Sequence, residues 1–167
     1  MPNWVIEDDC LAPEEELVIK YSGPNPFRTY HIIKDLLKKV LKIEAKDLWE
    51  RDFKWDITSD PHGFFTRYYV NWGIDVRSHV LVEVVMEGKQ PSDPTKNGEV
   101  RISVSGTLKT EYPQNNAFQR SALYKLLVWI YHWIYYNNVR RSYTEICNRR
   151  LETIWREFRN VLNMPPP

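Results

Sequence analysis

The sequence predicts a single α+β domain in which an antiparallel sheet is covered by a long C-terminal helix. Three observations favour this fold class. Apolar and polar residues alternate at strand spacing in several segments between residues 51 and 109. From about residue 117 the apolar residues recur at helical spacing instead. The length of 167 residues is in the usual range for one domain.

Charge divides the chain into three predicted parts. Residues 1–15 are predicted to be a loosely held acidic arm, residues 16–138 the α+β domain, and residues 139–167 a basic extension of the last helix with a proline tail. A solvated charged face is the common explanation of such charge runs. The alternative is that the acidic start pairs with the basic end, within one molecule or between two.

The first predicted elements are a strand over residues 16–21 and a helix over residues 27–41. The turn sequence Ser-Gly-Pro-Asn-Pro separates them. Asn25 and Pro26 suit the start of the helix, because they supply a cap and a first-turn proline. A second, short helix is predicted over residues 45–50.

Four strands are predicted next, over residues 51–58, 64–74, 80–87 and 99–109, with an exposed hairpin loop over residues 88–98. The last strand has the clearest pattern. Val100, Ile102, Val104 and Leu108 point one way, and charged or hydroxyl residues point the other way. One face of the sheet is therefore expected to meet the core and the other to meet solvent.

The last helix is predicted to run from about residue 117 to residue 164. At 1.5 Å per residue it would be on the order of 70 Å long if unbroken. Typical strands are only about 17–20 Å long. The helix is therefore expected to break, to overhang the sheet or to find another partner.

This helix carries two apolar stripes, so it has more apolar surface than one sheet needs. The first stripe is Leu123, Leu126, Leu127, Ile130 and Ile134. The second stripe is Trp129, Trp133, Tyr136, Tyr143, Cys147, Leu151, Ile154 and Phe158. In one interpretation the first stripe packs on the sheet and the second meets the N-terminal helix, a second copy or another macromolecule. In the other, the helix breaks near residues 137–138 and folds back.

The order of elements over residues 16–140 resembles the helix-grip layout of the START/Bet v 1-like (SRPBCC-type) superfamily. The resemblance implies a curved sheet wrapped around the C-terminal helix, with an apolar cavity between them that holds a small apolar ligand. The residues expected to line the cavity are Trp55, Tyr68, Trp72, Val84, Val104, Leu123, Leu127 and Ile130. Two features depart from the family: the helix is longer, and the crowded aromatic side chains would also fill such a cavity.

The predicted function is that of a non-enzymatic binding protein, which holds an apolar ligand or forms a homodimer through the long helix. The alternative is an interaction factor that docks on a ribonucleoprotein, such as the ribosome, through the arginines and aromatic residues of this helix. The residues expected at the interface are Trp129, Trp133, Tyr136, Arg140, Tyr143, Arg149, Arg150, Ile154 and Phe158.

Motifs for catalysis, metals or cofactors are not found in the sequence, and none of these roles is predicted. The least favoured alternative is acid–base chemistry by Asp56, Asp60 and His62, which lie around one turn. Cys10 and Cys147 are too few for a disulfide framework, and Cys147 is expected to be a plain buried thiol. A reducing cytosol is the expected location. The apolar stretch 122–136 is shorter than the roughly 20 residues that span a membrane, and Lys125 and His132 interrupt it. It is predicted to be a buried helix, and a position in a membrane interface is the alternative.

Overall fold

The computed structural model describes residues 4–166, which form a six-stranded antiparallel sheet with helices against one face. The strands are β1 (Trp4–Asp9), β2 (Leu17–Pro24), β3 (Leu48–Asp56), β4 (His62–Gly73), β5 (Ser78–Gln90) and β6 (Asn97–Tyr112). The helices are α1 (Arg28–Leu41), α2 (Ala122–Tyr131) and α3 (Asn137–Val161), and a π-helical turn, His132–Tyr136, joins the last two. The predicted α+β fold class is confirmed.

The long strand β6 organises the sheet. One of its edges pairs with β5, and β4 and then β3 lie next to β5 in the sheet. Its other edge pairs with two strands in succession, β2 along residues 97–104 and β1 along residues 107–112. The sheet does not close into a barrel, and this layout is compatible with a helix grip.

The alternation along β6 is confirmed, because its apolar positions are buried and its charged positions are not. The buried face of the sheet is covered by α1 and α3. From α1, Ile33 and Leu37 enter the core, and from α3, Leu151, Ile154 and Phe158 do so. Arg150 also joins the two helices by donating a 3.0 Å hydrogen bond to the carbonyl of residue 40.

Several boundaries agree closely with the sequence. The predicted helix over residues 27–41 is α1, and β2 to β6 lie where expected, with each end within three residues of the prediction. The second short helix is smaller than expected: a single 3₁₀ turn, Ala45–Asp47, is followed at once by β3. Because β3 starts at Leu48, pairing with β4 takes residues that the sequence assigns to a helix.

The N-terminal segment is not a loose arm over its described part, because β1 belongs to the sheet. Its charges are paired with residues that are distant in sequence. Glu7 lies 2.9 Å from Lys109, and Asp8 lies 2.9 Å from Arg140. The acidic start therefore pairs within one molecule, and residue 140 belongs to the predicted basic extension.

Cys10 and Cys147 form a disulfide, so the expectation of an unpaired thiol at Cys147 is wrong. The chain leaves β1 at Cys10, whose amide donates to the Gly106 carbonyl at 3.0 Å. Helix α3 places Cys147 above the same glycine. The pairing removes the basis on which a reducing cytosol was expected, because disulfides persist mainly in oxidising compartments or in some thermophile proteins.

The segment predicted as a basic extension is part of the core. Helix α3 packs on β6, and it buries Cys147, Leu151, Ile154 and Phe158. The assignment of the first stripe to the sheet is therefore wrong, because the second stripe covers the sheet from Tyr136 onward. In residues 4–166, no helix combines the length and the apolar character needed to cross a membrane.

Candidate interaction site

The segment Ala122–Tyr136, made of α2 and the π-helical turn, extends past the sheet and is called the apolar arm here. Ser121 caps its start by accepting a 3.2 Å hydrogen bond from the amide of Tyr124. At its other end the arm continues without interruption into α3. The long helix thus overhangs the sheet at its N-terminal end, as one of the sequence-based alternatives states.

Most of the arm's large side chains are in contact with solvent. Trp133 is 65% exposed and Tyr135 is 70% exposed. The exposed set also includes Leu123, Leu126, Leu127, Trp129, Ile130, Tyr131 and Ile134. Large contiguous apolar surfaces of this kind mark contact sites for proteins or membranes.

The exposed residues have an ordered arrangement around the helix. Within α2, from Leu123 to Tyr131, they span about 200° of the circumference at 100° per residue. The middle of this arc is the first stripe of the sequence analysis, here called the aliphatic ridge. Trp129 and Trp133 flank it on one side, with ring centroids 6.2 Å apart and planes nearly parallel. Tyr131 and Tyr135 flank it on the other side, stacked at 6.0 Å.

The root of the arm is fixed by the turn between β4 and β5. The hydroxyl of Tyr136 lies 2.5 Å from Ser78 Oγ and donates to Asp75 at 3.2 Å. Asp75 also accepts 2.7 Å and 2.6 Å hydrogen bonds from the amides of Arg77 and Ser78. Partial burial raises the pKa of Asp75, but these hydrogen bonds outweigh it and hold the pKa below its usual value.

His132 is the buried polar side chain on the arm's inner face. Its Nδ1 lies 3.1 Å from the hydroxyl of Tyr112, at the end of β6. Its Nε2 is buried without a hydrogen-bond partner in the structure. Burial is the main reason why the pKa of His132 is lowered, and the charge of Arg140 adds to this while Asp8 opposes it. The imidazole is therefore neutral at pH 7.

The π-helical turn explains why the covered line along the helix is displaced from the predicted second stripe. A π turn closes its hydrogen bond over one more residue than an α turn does. From the start of this turn towards the N-terminus of the arm, the inward-facing residues are His132 and Val128 rather than their neighbours Trp133 and Trp129. Both tryptophans are consequently turned out to solvent. A wheel drawn at 3.6 residues per turn does not show this shift.

The structure does not bring together the residues expected to line a ligand cavity. Tyr68, Val84 and Val104 are buried on the inner face of the sheet, and Trp55 and Trp72 are partly buried at its margins. The helical members of that set are exposed on the arm, away from the sheet. They are Leu123, Leu127 and Ile130.

The residues expected at an interface fall into two groups. Trp129 and Trp133 are exposed on the arm, whereas Tyr136, Ile154 and Phe158 are buried in the chain itself. The polar members are engaged within the molecule. Arg140 pairs with Asp8, Tyr143 bonds Asp75, Arg149 pairs with Glu145 at 3.7 Å, and Arg150 bonds the carbonyl of residue 40.

The three residues considered for acid–base chemistry, Asp56, Asp60 and His62, make hydrogen bonds to nearby turns and loops. Asp56 accepts from the amide and hydroxyl of Thr58 at 2.9 and 2.6 Å, and these hydrogen bonds lower its pKa. Asp60 and His62 both bond Ser92. Asp56 also borders a groove of about 700 Å³ on the solvent-facing side of the sheet, but Asp60 and His62 are not among the residues that line it.

Sequence reasoning did not identify Asp75, Val128 or His132, although they set the position of the arm. An aspartate between two strands is a usual turn residue, so its contacts to the helix have no local signal. Among residues 4–166, no group of His, Cys, Asp or Glu is arranged to hold a metal ion.

Comparison of the chain with protein-family models, with curated proteins and with solved structures finds no match.

Proposed function

We propose that the protein is a non-enzymatic binding protein and that the apolar arm is its binding surface. The observation that carries this proposal is the exposure of nine large apolar side chains on one helical segment. A helix that is apolar around most of its circumference is normally buried. In this chain the sheet covers only one narrow side of the arm.

The START/Bet v 1-like resemblance supports a different binding mode, with an apolar ligand between sheet and helix. The packing at β6 weighs against it. A Cβ at Gly106 would stand 2.8 Å from Cδ1 of Leu151, so α3 lies directly on the strand at this point. The arm is therefore the better-supported surface.

Self-association through the arm is the second candidate, and the spacing of the aliphatic ridge favours it. Its leucines and isoleucines recur every three or four residues, which suits the packing of two helices. Docking on a ribonucleoprotein would use the same surface together with nearby arginines. All of these modes share the requirement for an apolar arm.

The test compares two variants in which an apolar side chain is replaced by glutamate at different places. Leu126→Glu/Ile130→Glu alters the arm, and Ile57→Glu, the turn variant, alters an exposed apolar residue on the turn between β3 and β4. Each form is expressed in the source cells, and a gently prepared extract is sedimented through a density gradient. The wild type and the turn variant are expected well above the monomer mass of 20.0 kDa, and the arm variant at that mass. Migration of the wild type as a free monomer would refute the proposal.

A further inference from the structure

We infer that the partner of the apolar arm is the surface of an anionic lipid bilayer, an inference that rests on the proposed binding role of the arm. The arm lies in the plane of the interface, with its aliphatic ridge towards the acyl chains. Three features of the arm favour a lipid surface over a second helix: the width of its apolar arc, the order of residue types across the arc, and the charge around it.

The width of the arc exceeds what one partner helix covers. A helix that packs on a protein core needs an apolar stripe somewhat over 100° wide. The exposed residues of α2 alone span about 200° at 100° per residue. One partner helix on the ridge would leave the tryptophan pair or the tyrosine pair in water. A bilayer surface covers the ridge and both flanks together.

The order of residue types matches the depth profile of a membrane interface. Aliphatic side chains occupy the centre of the arc, where a helix in the interface reaches deepest. Trp129 and Trp133 on one side, and Tyr131 and Tyr135 on the other, occupy the flanks. Tryptophan and tyrosine concentrate at the level of the lipid headgroups, because their rings are apolar with one polar atom.

The sequence segment that contains the arm carries charge of one sign, although in the fold Asp75 bonds Tyr136 and Asp8 pairs with Arg140. Between Glu111 and Glu145 the chain has no carboxylate side chain, whereas it holds Arg120, Lys125, Arg140 and Arg141. Two copies joined through their arms would bring like charges together. An anionic lipid surface attracts Lys125 and Arg141, which are both exposed.

The length of the arm determines how it meets the bilayer. Its fifteen residues, from Ala122 to Tyr136, extend about 22 Å at 1.5 Å per residue, less than the roughly 30 Å of a hydrocarbon core. Its C-terminal end is tied to the turn at Asp75 through Tyr136. The arm therefore lies in the interface, and the rest of the domain stays on the same side.

The test is co-sedimentation of the full chain with vesicles of phosphatidylcholine, either alone or with about a third phosphatidylserine. The wild type and the turn variant Ile57→Glu are expected to pellet with the anionic vesicles. The arm variant Leu126→Glu/Ile130→Glu is expected to bind at least about tenfold more weakly, because two buried aliphatic side chains are lost. Lys125→Gln/Arg141→Gln keeps the ridge, and it is expected to lose affinity for anionic vesicles only.

Light scattering on the same samples distinguishes a failure of the lipid inference from a failure of the proposed binding role of the arm. If the wild type binds neither kind of vesicle but forms a dimer that the arm variant does not form, the lipid inference is overturned and the proposed function stands. If it binds no vesicles and stays monomeric, and the extract shows no heavier species, both are overturned. Equal vesicle binding by the wild type and a folded arm variant would also overturn the lipid inference. If the arm variant does not fold, the Lys125/Arg141 variant decides.

Discussion

The hydroxyl of Tyr143 donates a 2.9 Å hydrogen bond to Asp75, and this contact joins the first turns of α3 to the turn between β4 and β5. The same carboxylate raises the pKa of Tyr143 to about 12. Tyr136, the residue directly before α3, donates to the same carboxylate oxygen, Oδ2 of Asp75. A single exposed aspartate therefore sets where the helix leaves the sheet and where the apolar arm begins.

Replacing this aspartate, Asp75→Asn, is expected to lower the free energy of unfolding by about 1 kcal/mol. Hydrogen bonds to a charged acceptor contribute about 1.5–3 kcal/mol, and the exposure of Asp75 reduces that figure. Urea unfolding measures the change. The matched control is Asp93→Asn, because Asp93 accepts from Thr95 within its own turn and holds no helix. Equal losses in the two variants would contradict the role assigned to Asp75.

The stability of the fold is expected to decrease as the pH falls from about 7 to about 5, because of His132. Its folded-state pKa is lowered. The unfolded chain therefore takes up a proton before the folded chain does, and stability is complete only above the ordinary histidine pKa. Asp75, whose pKa is also lowered, acts in a separate and more acidic range, and its contribution is lost as the pH falls through the folded-state value.

Thermal unfolding across this pH range tests the assignment. His132→Asn keeps a polar atom near Tyr112 and removes the titration, so its stability is expected to vary less between pH 7 and pH 5 than that of the wild type. An unchanged slope in the His132 variant would exclude this histidine as the source.

Shortening the side chain to alanine is expected to cost much stability at one isoleucine of the long helix and little at another. The sequence places these two isoleucines on different stripes. Ile154 is 0% exposed and Ile134 is 52% exposed. Ile154→Ala is therefore expected to lower the free energy of unfolding by about 2–5 kcal/mol. Ile134→Ala is expected to change it by less than about 0.5 kcal/mol. Chemical denaturation of both variants provides the comparison, and a larger effect at Ile134 would reverse the assignment of faces.

The sequence predicts the strands and α1 well because their signals are local. The alternation along β6 and the turn residues before α1 each determine their element without reference to the rest of the chain. No local signal of this type decides which of the two stripes of the last helix is buried. Both stripes are apolar, so only the position of the contacting partners, Gly106 on β6 and Asp75 in a turn, decides which stripe is covered.

The disulfide had no local signal either. Cys10 and Cys147 are separated by 137 residues, and neither lies in a spaced cysteine motif. They meet because β1 ends beside Gly106 and α3 crosses above it. Pairing of this kind follows from the way the strands and helices are arranged, which local sequence patterns do not determine.

Removing the disulfide is expected to destabilise the fold strongly. A crosslink between residues so far apart restricts the unfolded chain, and the chain-entropy estimate for such a long loop is about 5 kcal/mol, an upper value. The oxidised wild type should therefore unfold at a higher urea concentration than the reduced protein. Cys10→Ala/Cys147→Ala is the control and should be insensitive to reductant. A midpoint that reductant leaves unchanged in the wild type would contradict the pairing.

The close approach of α3 to the sheet predicts that Gly106→Ala is destabilising. The new Cβ would stand 2.8 Å from Cδ1 of Leu151, which is fully buried and has little room to move, and 3.4 Å from Sγ of Cys147. Overpacking of this kind costs about 1–3 kcal/mol. Gly73→Ala is the matched control, because a Cβ there meets no heavy atom within 4 Å. Urea unfolding measures both variants. Adding Leu151→Val removes the clashing δ-carbons, so Gly106→Ala is expected to be less harmful in that background than in the wild type. Equal effects in the two backgrounds would mean that α3 does not rest on β6 at this glycine.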